Sequence, residues 1–349
     1  MTQRTLAGLM AVPLLIALWL AAVLLPLPYV TYEPGVTVDV LAETQGREII
    51  QVQGHRTYRD DGQLRMTTVY VTQPNARVNL FELLRDWASP QSSVYPYDAV
   101  YQRNETSQQN RQQGAVDMVS SQDAATATAL RELGYRVKQG LEVLSVEQGS
   151  PADGVFKVRD LFLRVDDRPI TSGKQVVRAI ASAPPGRPVS FVVRRAGRRV
   201  DLSVTPRPVD GHQKIGIQYG TGFRFPFAVS VNIDPAIGGP SAGLMFSLGI
   251  YDTLTKGSLT GGATVAGTGT VDGSGRVGPI GGIQQKIAAA AAAGAKLFLV
   301  PPDNCADAQG APNGAMRLVK APTMHSAVQS IRAWVDDHRA PLPTCGDDT

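Results

Sequence analysis

A serine in a glycine-rich turn between a strand pattern and a helix pattern constrains the fold of this chain more than any other feature. The turn reads Ile237-Gly238-Gly239-Pro240-Ser241-Ala242-Gly243. The alternating run from Phe227 to Ile233 predicts a strand before it, and the apolar run from Leu244 to Leu254 predicts a helix after it. We therefore place Ser241 at a strand-to-helix junction, where nucleophiles are often presented.

The neighbours of Ser241 suit a backbone that stabilises a negatively charged oxygen. Gly239 lets other backbone approach closely, and Pro240 suits the first helical position, which needs no N–H group. Ser241 would then lie in the first helical turn, among unpaired N–H groups that can hold an oxyanion. We expect Gly239, Pro240 and Ala242 to form this part of the active-site backbone.

A single lysine lies in the alanine-rich helix predicted downstream of the serine. It ends the stretch Gly278-Pro279-Ile280-Gly281-Gly282-Ile283-Gln284-Gln285-Lys286, and the helix pattern runs from Ile283 to Ala293. A lysine with an ordinary pKa of about 10.4 is not a base at neutral pH, but burial without a carboxylate partner can lower the pKa to about 7. Lys286 is therefore a candidate general base for Ser241.

The two motifs together resemble the proteolytic domain of Lon proteases, whose catalytic pair is a serine and a lysine. The similarity extends from roughly Phe225 to Pro301. Carried onto this chain, it implies that Ser241 and Lys286 form the catalytic dyad of a serine endopeptidase. It also implies protein or peptide substrates and is compatible with a homo-oligomer, because Lon-like domains commonly form rings.

The chain departs from the Lon pattern beside the dyad. Where Lon proteases usually carry an acidic residue three positions before the serine, this chain has Gly238, and Asp234 is the nearest acid. The Thr-Gly-Glu segment of the family reads Ala266-Gly267-Thr268. We expect Asp234 and Thr268 to support the dyad.

An uncharged run near the N-terminus predicts a membrane anchor within residues 1–28. The run from Leu6 to Leu25 is long enough to cross the ~30 Å hydrocarbon core as a helix. Arg4 precedes it and no Lys or Arg follows before Arg47, so the positive-inside bias predicts a cytoplasmic N-terminus and an extracytoplasmic catalytic part. A cleaved signal peptide is the alternative, although its apolar core is usually only about 7 to 15 residues long.

The segment from Gly140 to Thr205 resembles a PDZ domain of the type found in bacterial proteases, in the motif Gly-Ser-Pro-Ala-Asp-Gly and in the order of its strand and helix patterns. The resemblance implies that an extended peptide adds along the strand bearing Leu141 and Val143, against the helix bearing Val176 and Ile180. A groove filled by neighbouring chain is the alternative.

The patterns together predict an α+β chain in which the PDZ-like domain, residues 139–208, is inserted into a proteolytic domain. Residues 29–138 would supply its first part, residues 209–342 its main part, and residues 343–349 a tail. A clean division at residue 209 is the alternative. Within the first part, the glutamine-rich stretch 102–113 reads as an exposed loop, and a helix is predicted from Ser120 or Ser121 to Leu133.

Composition and motifs argue against several other functions. The net charge is only +4 and the basic residues are dispersed, so nucleic acid is not an expected partner. The four histidines lie in no metal-ligand spacing, and no Gly-x-x-x-x-Gly-Lys-Ser/Thr motif occurs, so neither a metal, a cofactor nor ATP is expected.

Two other functions remain as alternatives. Gly239-x-Ser241-x-Gly243 also fits the nucleophile elbow of α/β hydrolases, with Asp303 and His325 following in the required order. A membrane-tethered PDZ scaffold without catalysis is the non-enzymatic alternative.

The chain has two cysteines, Cys305 and Cys345, both downstream of the predicted anchor. In an oxidising space we expect them to form a disulfide.

Overall fold

The first part of the chain is an apolar helix followed by strands and a long helix. In the computed structural model, which describes residues 3–44, 46–76 and 78–346, its elements are α1 (Gln3–Leu24), β1 (Tyr29–Asp39), β2 (Glu43–Thr44), β3 (Arg47–Glu48), β4 (Ile50–Gln53), β5 (Gln63–Val71), α2 (Leu80–Ala88), β6 (Ser93–Pro96), α3 (Tyr97–Val100) and α4 (Ser107–Glu132). Within these described ranges, no helix has both the length and the hydropathy of a membrane span, so the expected anchor is not confirmed.

Helix α4 begins well before the position that the sequence pattern indicates. The glutamine-rich stretch predicted as a loop forms its first turns, because Thr106 is the N-cap and Gln109 completes a capping box with it. Glutamine is also a good helix former. The stretch is largely exposed, as predicted. Its polar residues indicate that it is not buried, but they do not indicate that it is not helical.

The middle of the chain forms a sheet with one helix packed on it. Its elements are β7 (Lys138–Val146), β8 (Leu161–Val165), β9 (Arg168–Pro169), α5 (Gly173–Ala181), β10 (Val189–Arg195), β11 (Arg198–Val204), β12 (Arg207–Val209), β13 (His212–Lys214) and β14 (Ile217–Arg224). The strand order is β11-β10-β8-β7-β14, and Val143, Val176 and Phe191 lie in the core. Strands β10 and β11 form a hairpin, with Arg194 opposite Arg199.

The last part of the chain completes a second six-stranded sheet. Its elements are β15 (Ala228–Val231), α6 (Gly243–Leu254), β16 (Thr264–Gly267), β17 (Thr270–Val271), β18 (Val277–Gly278), α7 (Ile283–Ala292), β19 (Leu297–Val300), a 3-10 turn (Pro302–Asn304), α8 (Cys305–Ala308), β20 (Arg317–Lys320) and α9 (Met324–Asp336). The order is β20-β19-β16-β5-β1-β6, parallel from β20 to β5 and antiparallel beyond.

This second sheet draws strands from both sides of the PDZ-like unit in the sequence. Strands β5 and β1 precede the unit and β16 follows it, an arrangement compatible with the predicted insertion. The largely apolar helix α6 is buried along its whole length, with Phe246, Leu248 and Ile250 in the core. Cys305 and Cys345 form a disulfide, the pairing expected from the sequence.

A buried cluster of charged groups joins α4 to the PDZ-like sheet. Arg159 Nε lies 3.0 Å from Asp123 Oδ1 on α4, and Glu142 of β7 is buried beside them. Burial first, and then the nearby Asp123, raise the pKa of Glu142 to about 9. The folded protein therefore holds a proton here that the unfolded chain releases above its ordinary pKa of 4.5.

We expect the stability of the wild type to fall as pH rises from 4.5 towards 9. Over this range the unfolded chain has released the proton of Glu142, whereas the folded protein still binds it. Glu142→Gln carries no titrating proton, so it should flatten this dependence and raise the free energy of unfolding by about 1–3 kcal/mol at pH 8. Thermal denaturation between pH 5 and 9 measures both effects. Glu147→Gln, at an exposed position of the same unit, is the control; identical slopes in wild type and Glu142→Gln would contradict the assignment.

Candidate active site

Ser241 lies in the turn before α6, one residue ahead of the helix N-cap Ala242. Its carbonyl accepts hydrogen bonds from the Gly269 N–H (2.8 Å) and from Thr268 Oγ1 (3.0 Å). These contacts hold the serine outside the helix. The expectation of a strand-to-helix junction is met, but those placing Pro240 at the first helical position and Ser241 in the first turn are wrong.

Helix α4 also contacts the turn that contains Ser241. Gly239, at φ +91°, donates its N–H to the Gly114 carbonyl (2.8 Å), and Ser121 Oγ donates to the Pro240 carbonyl (2.9 Å). A Cβ at Gly238 would lie only 3.2 Å from the Gly114 carbonyl carbon. A side chain at position 238 would therefore require the backbone of α4 at Gly114 to shift by a few tenths of an ångström.

Gly114 and Ser121 are functional neighbours of the nucleophile that the sequence reasoning missed. The available signal was two small residues at i and i+7, which lie on one face of a helix. It was lost because the start of α4 was predicted to lie after Gly114.

Lys286 is buried on α7, with only 2% of the residue exposed. Ile283 and Ile287 pack α7 into the core and carry the lysine inward. Its Nζ donates a hydrogen bond to Thr268 Oγ1 at 3.2 Å, so Thr268 links the lysine to the carbonyl of Ser241. Burial lowers the pKa of Lys286 to about 7. A large fraction of this amine is therefore neutral at physiological pH and can accept a proton.

Ser241 and Lys286 line one cleft of about 410 Å³. Its opposite wall is the C-terminal half of β5. The pairing of β5 with β16 ends at Met66, and among the described residues no strand pairs with the backbone from Thr68 to Val71 on that side. An unpaired strand edge beside a nucleophile can receive an extended polypeptide as an additional strand.

The other expected site residues differ in what they can contribute. The Gly239 N–H is engaged by Gly114 and Pro240 has none, whereas no hydrogen bond within the described chain engages the Ala242 N–H. Ala242 is thus the available donor among the three. Asp234 lines the cleft, but its Oδ1 accepts the Ala236 N–H (2.9 Å) and caps its own turn.

The α/β-hydrolase alternative is not assembled around Ser241. His325 lies on α9, where its Nδ1 is 2.6 Å from Glu132 Oε1 and its Nε2 is 2.8 Å from Gln329. Asp303 lies in the 3-10 turn after β19. Neither side chain lines the cleft of Ser241.

The strand edge at which a peptide was expected to bind is not free in the PDZ-like unit. Strand β14 pairs along β7, so the backbone edge beside Leu141 and Val143 is already occupied. Val143 and Val176 are core residues of this unit. A groove of about 600 Å³ instead lies between α5 and β14, where Ile180 contributes to its lining as predicted. Because β14 pairs with β7, the strand edge beside the groove is the edge of β14 and not that of β7.

Comparison with known families agrees with these two regions. A model of the Lon protease (S16) C-terminal proteolytic domain matches residues 234–332, and a PDZ domain model matches residues 115–205. The chain therefore contains a PDZ domain and a Lon-type proteolytic domain in a mixed α/β architecture. The PDZ match begins within α4, upstream of the strand patterns used above.

Individual relatives are similar to part of this chain. The Lon protease of Trichlorobacter lovleyi is 31% identical over 105 residues, which are 30% of this chain and 13% of that protein. Lon protease 2 of Bacillus subtilis is 43% identical over 86 residues, 25% of this chain and 14% of that protein. The chain thus spans a small fraction of these relatives. The matches support a serine peptidase.

Among solved structures, the PDZ domain of the SdrC-like protein from Listeria innocua is 26% identical and covers 23% of this chain and 92% of that domain. Its TM-score is 0.22, and nothing further is drawn from this likeness.

Replacing Lys286 by an apolar residue should stabilise the protein at low pH. The folded state disfavours the ammonium form, and this cost is largest below pH 7 and vanishes above 10.5, the ordinary lysine pKa. Lys286→Met should raise the free energy of unfolding by about 2–4 kcal/mol at pH 6 and by much less at pH 10. Denaturant unfolding at the two pH values measures this. An unchanged stability at pH 6 would mean that the amine is solvated in solution.

Proposed function

We propose that this chain is a serine endopeptidase that acts without ATP through a dyad of Ser241 and Lys286. The observation that carries the proposal is a buried lysine, with its pKa lowered to about 7, in the same cleft as a serine held at a strand-to-helix junction. The Lon-type match over residues 234–332 supports the same reaction class.

In this mechanism the neutral amine of Lys286 accepts the proton of Ser241 Oγ as the oxygen attacks the scissile carbonyl. In this proposal the Ala242 N–H donates to the negatively charged carbonyl oxygen of the tetrahedral intermediate. The lysine then returns its proton to the leaving amine, which leaves an acyl-enzyme. Water, deprotonated by the same lysine, hydrolyses the ester and restores Ser241.

Thr268 is a positioning residue in this scheme. Its hydroxyl accepts from Lys286 Nζ and donates to the Ser241 carbonyl, so it fixes the two catalytic residues relative to each other. The hydroxyl bears no charge, so it orients the amine without the strong stabilisation of the ammonium form that a carboxylate would bring.

The substrates we propose are unfolded or loosely held protein segments. The cleft offers the unpaired edge of β5 to a backbone rather than a closed pocket to a side chain. The sequence contains no phosphate-binding loop motif, which supports action without a motor. The PDZ groove between α5 and β14 would select substrates, and Lys214 and His212 at one end of it suit a C-terminal carboxylate.

We further propose that the protein is held at a membrane by α1, with the catalytic part outside the cytoplasm. Support comes from the charge-free run of Leu6 to Leu25 after Arg4 and from exposed leucines along α1. The disulfide between Cys305 and Cys345 is typical of an oxidising compartment.

A protease added to intact spheroplasts tests this topology. It should remove a tag placed at the C-terminus, while a tag at the N-terminus should stay protected until the membrane is dissolved. A variant that lacks residues 1–28 serves as the control and should leave the membrane fraction. Protection of the C-terminal tag in intact spheroplasts would contradict the topology.

Loss of either dyad residue should abolish hydrolysis. Ser241→Ala removes the nucleophile, and Lys286→Arg keeps a permanent charge that cannot accept a proton, so each should lower kcat by at least about 1000-fold. Wild-type kcat/KM on fluorescence-quenched unfolded casein should rise with pH around a midpoint near 7, because the base is the deprotonated amine.

The matched control is Lys296→Arg, at an exposed lysine close to the same helix, which should behave as wild type. Retention of more than about a tenth of wild-type activity by Lys286→Arg would exclude the lysine as the general base.

A further inference from the structure

Two further depressions along the first turns of α4 lie between the PDZ groove and the cleft of Ser241, and each depression shares lining residues with the next; we call this series the trough. Gln112 and Gln218 line both the PDZ groove and an adjoining polar depression. Glu105 and Gln113 line both that depression and the next one, of about 490 Å³. The last depression shares its wall with the catalytic cleft itself. The shared residues there are Val69, Val71, Gln73, Ala236, Gly238 and Gly239.

The middle of the trough is lined by amide side chains. These are Gln102, Gln109, Gln112, Gln113 and Gln218, with Asn104 beside them. A glutamine amide both donates and accepts, so it can pair with the N–H and C=O groups of any passing backbone without selecting its side chains. Charges of both signs, Arg103, Glu105, Arg111 and Asp117, lie along the same path. The lining thus fits a polypeptide of unspecified sequence.

Unpaired strand edges lie at both ends of the trough. Strand β14 is the outer strand of its sheet in the described chain, and the half of β5 from Thr68 to Val71 is unpaired beside the cleft. A chain antiparallel to β14 has its C-terminal end at the Gly216 end of the strand, near Lys214 and His212. Its upstream part runs along β14 past Gln218, which the groove shares with the next depression. The path therefore has a direction, from a docked C-terminus back to the scissile bond.

We infer that a single substrate polypeptide occupies the whole trough, with its C-terminal end in the PDZ groove and an upstream segment on β5 at Ser241. The inference rests on the proposed peptidase function and extends it to the position of the cut. Because an extended chain advances about 3.3 Å per residue, the distance between the two sites fixes how many residues separate the cut from the C-terminus. The enzyme then cleaves at a measured distance from the end of its substrate.

The test uses the full-length protein in detergent and a peptide library made by digesting a denatured bacterial proteome with a lysine-specific endopeptidase. Mass spectrometry records the number of residues from each cut to the free C-terminus. The wild type should concentrate its cuts in one narrow window of this distance, with an enrichment of about 10-fold or more, because tethering raises the effective concentration of the segment at the cleft. Distances from the N-terminus should be broad.

Two variants probe the path and the anchor separately. Gln112→Trp places a large side chain in the trough, and Val177→Glu places a negative charge at an exposed position of the PDZ groove. Both variants should abolish the preferred distance between the cut and the C-terminus. The matched controls are Gln108→Trp, on an exposed part of α4 outside the trough, and Lys174→Gln, which changes the charge of α5 equally; both should keep it.

The outcomes separate this inference from the proposed function. Cuts without any preferred distance in the wild type, or a window that survives either Gln112→Trp or Val177→Glu in a protein with unchanged Tm, would overturn the trough. Absence of cleavage by the wild type would instead contradict the peptidase function.

Discussion

The close packing of α4 against the serine turn is the contact on which the rest of this structure depends. The backbone of Gly114 meets that of Gly238 and Gly239 with no side chain between them, so small displacements of either element are resisted by direct contact. Further along, α4 packs into the core with α6, and Asp123 ties it to Arg159 of the PDZ domain. One helix thus positions the nucleophile and also connects the PDZ sheet to it.

The second constraint is the burial of an amine in a helix that carries no other charged residue. Helix α7 packs by alanine and isoleucine, and this close packing excludes water from Lys286. The pKa falls from 10.5 to about 7, which corresponds to a cost of several kcal/mol for the charged form. A side chain placed for stability would not be a lysine here. Burial is what converts a common surface residue into a base, and Thr268 then orients it without restoring the charge.

Much of the local structure could be predicted from the sequence because it depends on short-range patterns. The turn of Ser241, the helix of Lys286 and the hairpin at Ala196-Gly197 follow from periodicity and from turn residues. The start of α4 was not predicted, since a run of glutamines shows no apolar periodicity even when a capping box begins a helix there. The same polar residues that prevented the prediction of this helix make its first turns an exposed surface lined by amide side chains.

The sequence by itself therefore determined the candidate nucleophile and base, the two cysteines that pair, and the order of strands and helices around them. Only the tertiary structure decided three other features. Strand β14 pairs with the edge of β7, the Gly114 carbonyl accepts the Gly239 N–H, and Lys286 is buried. The physical reason is the separation along the chain of the residues that interact. Hydrogen-bond partners of a strand edge and the desolvation of a side chain depend on segments distant in the chain, and no local pattern of residues specifies which of them will arrive.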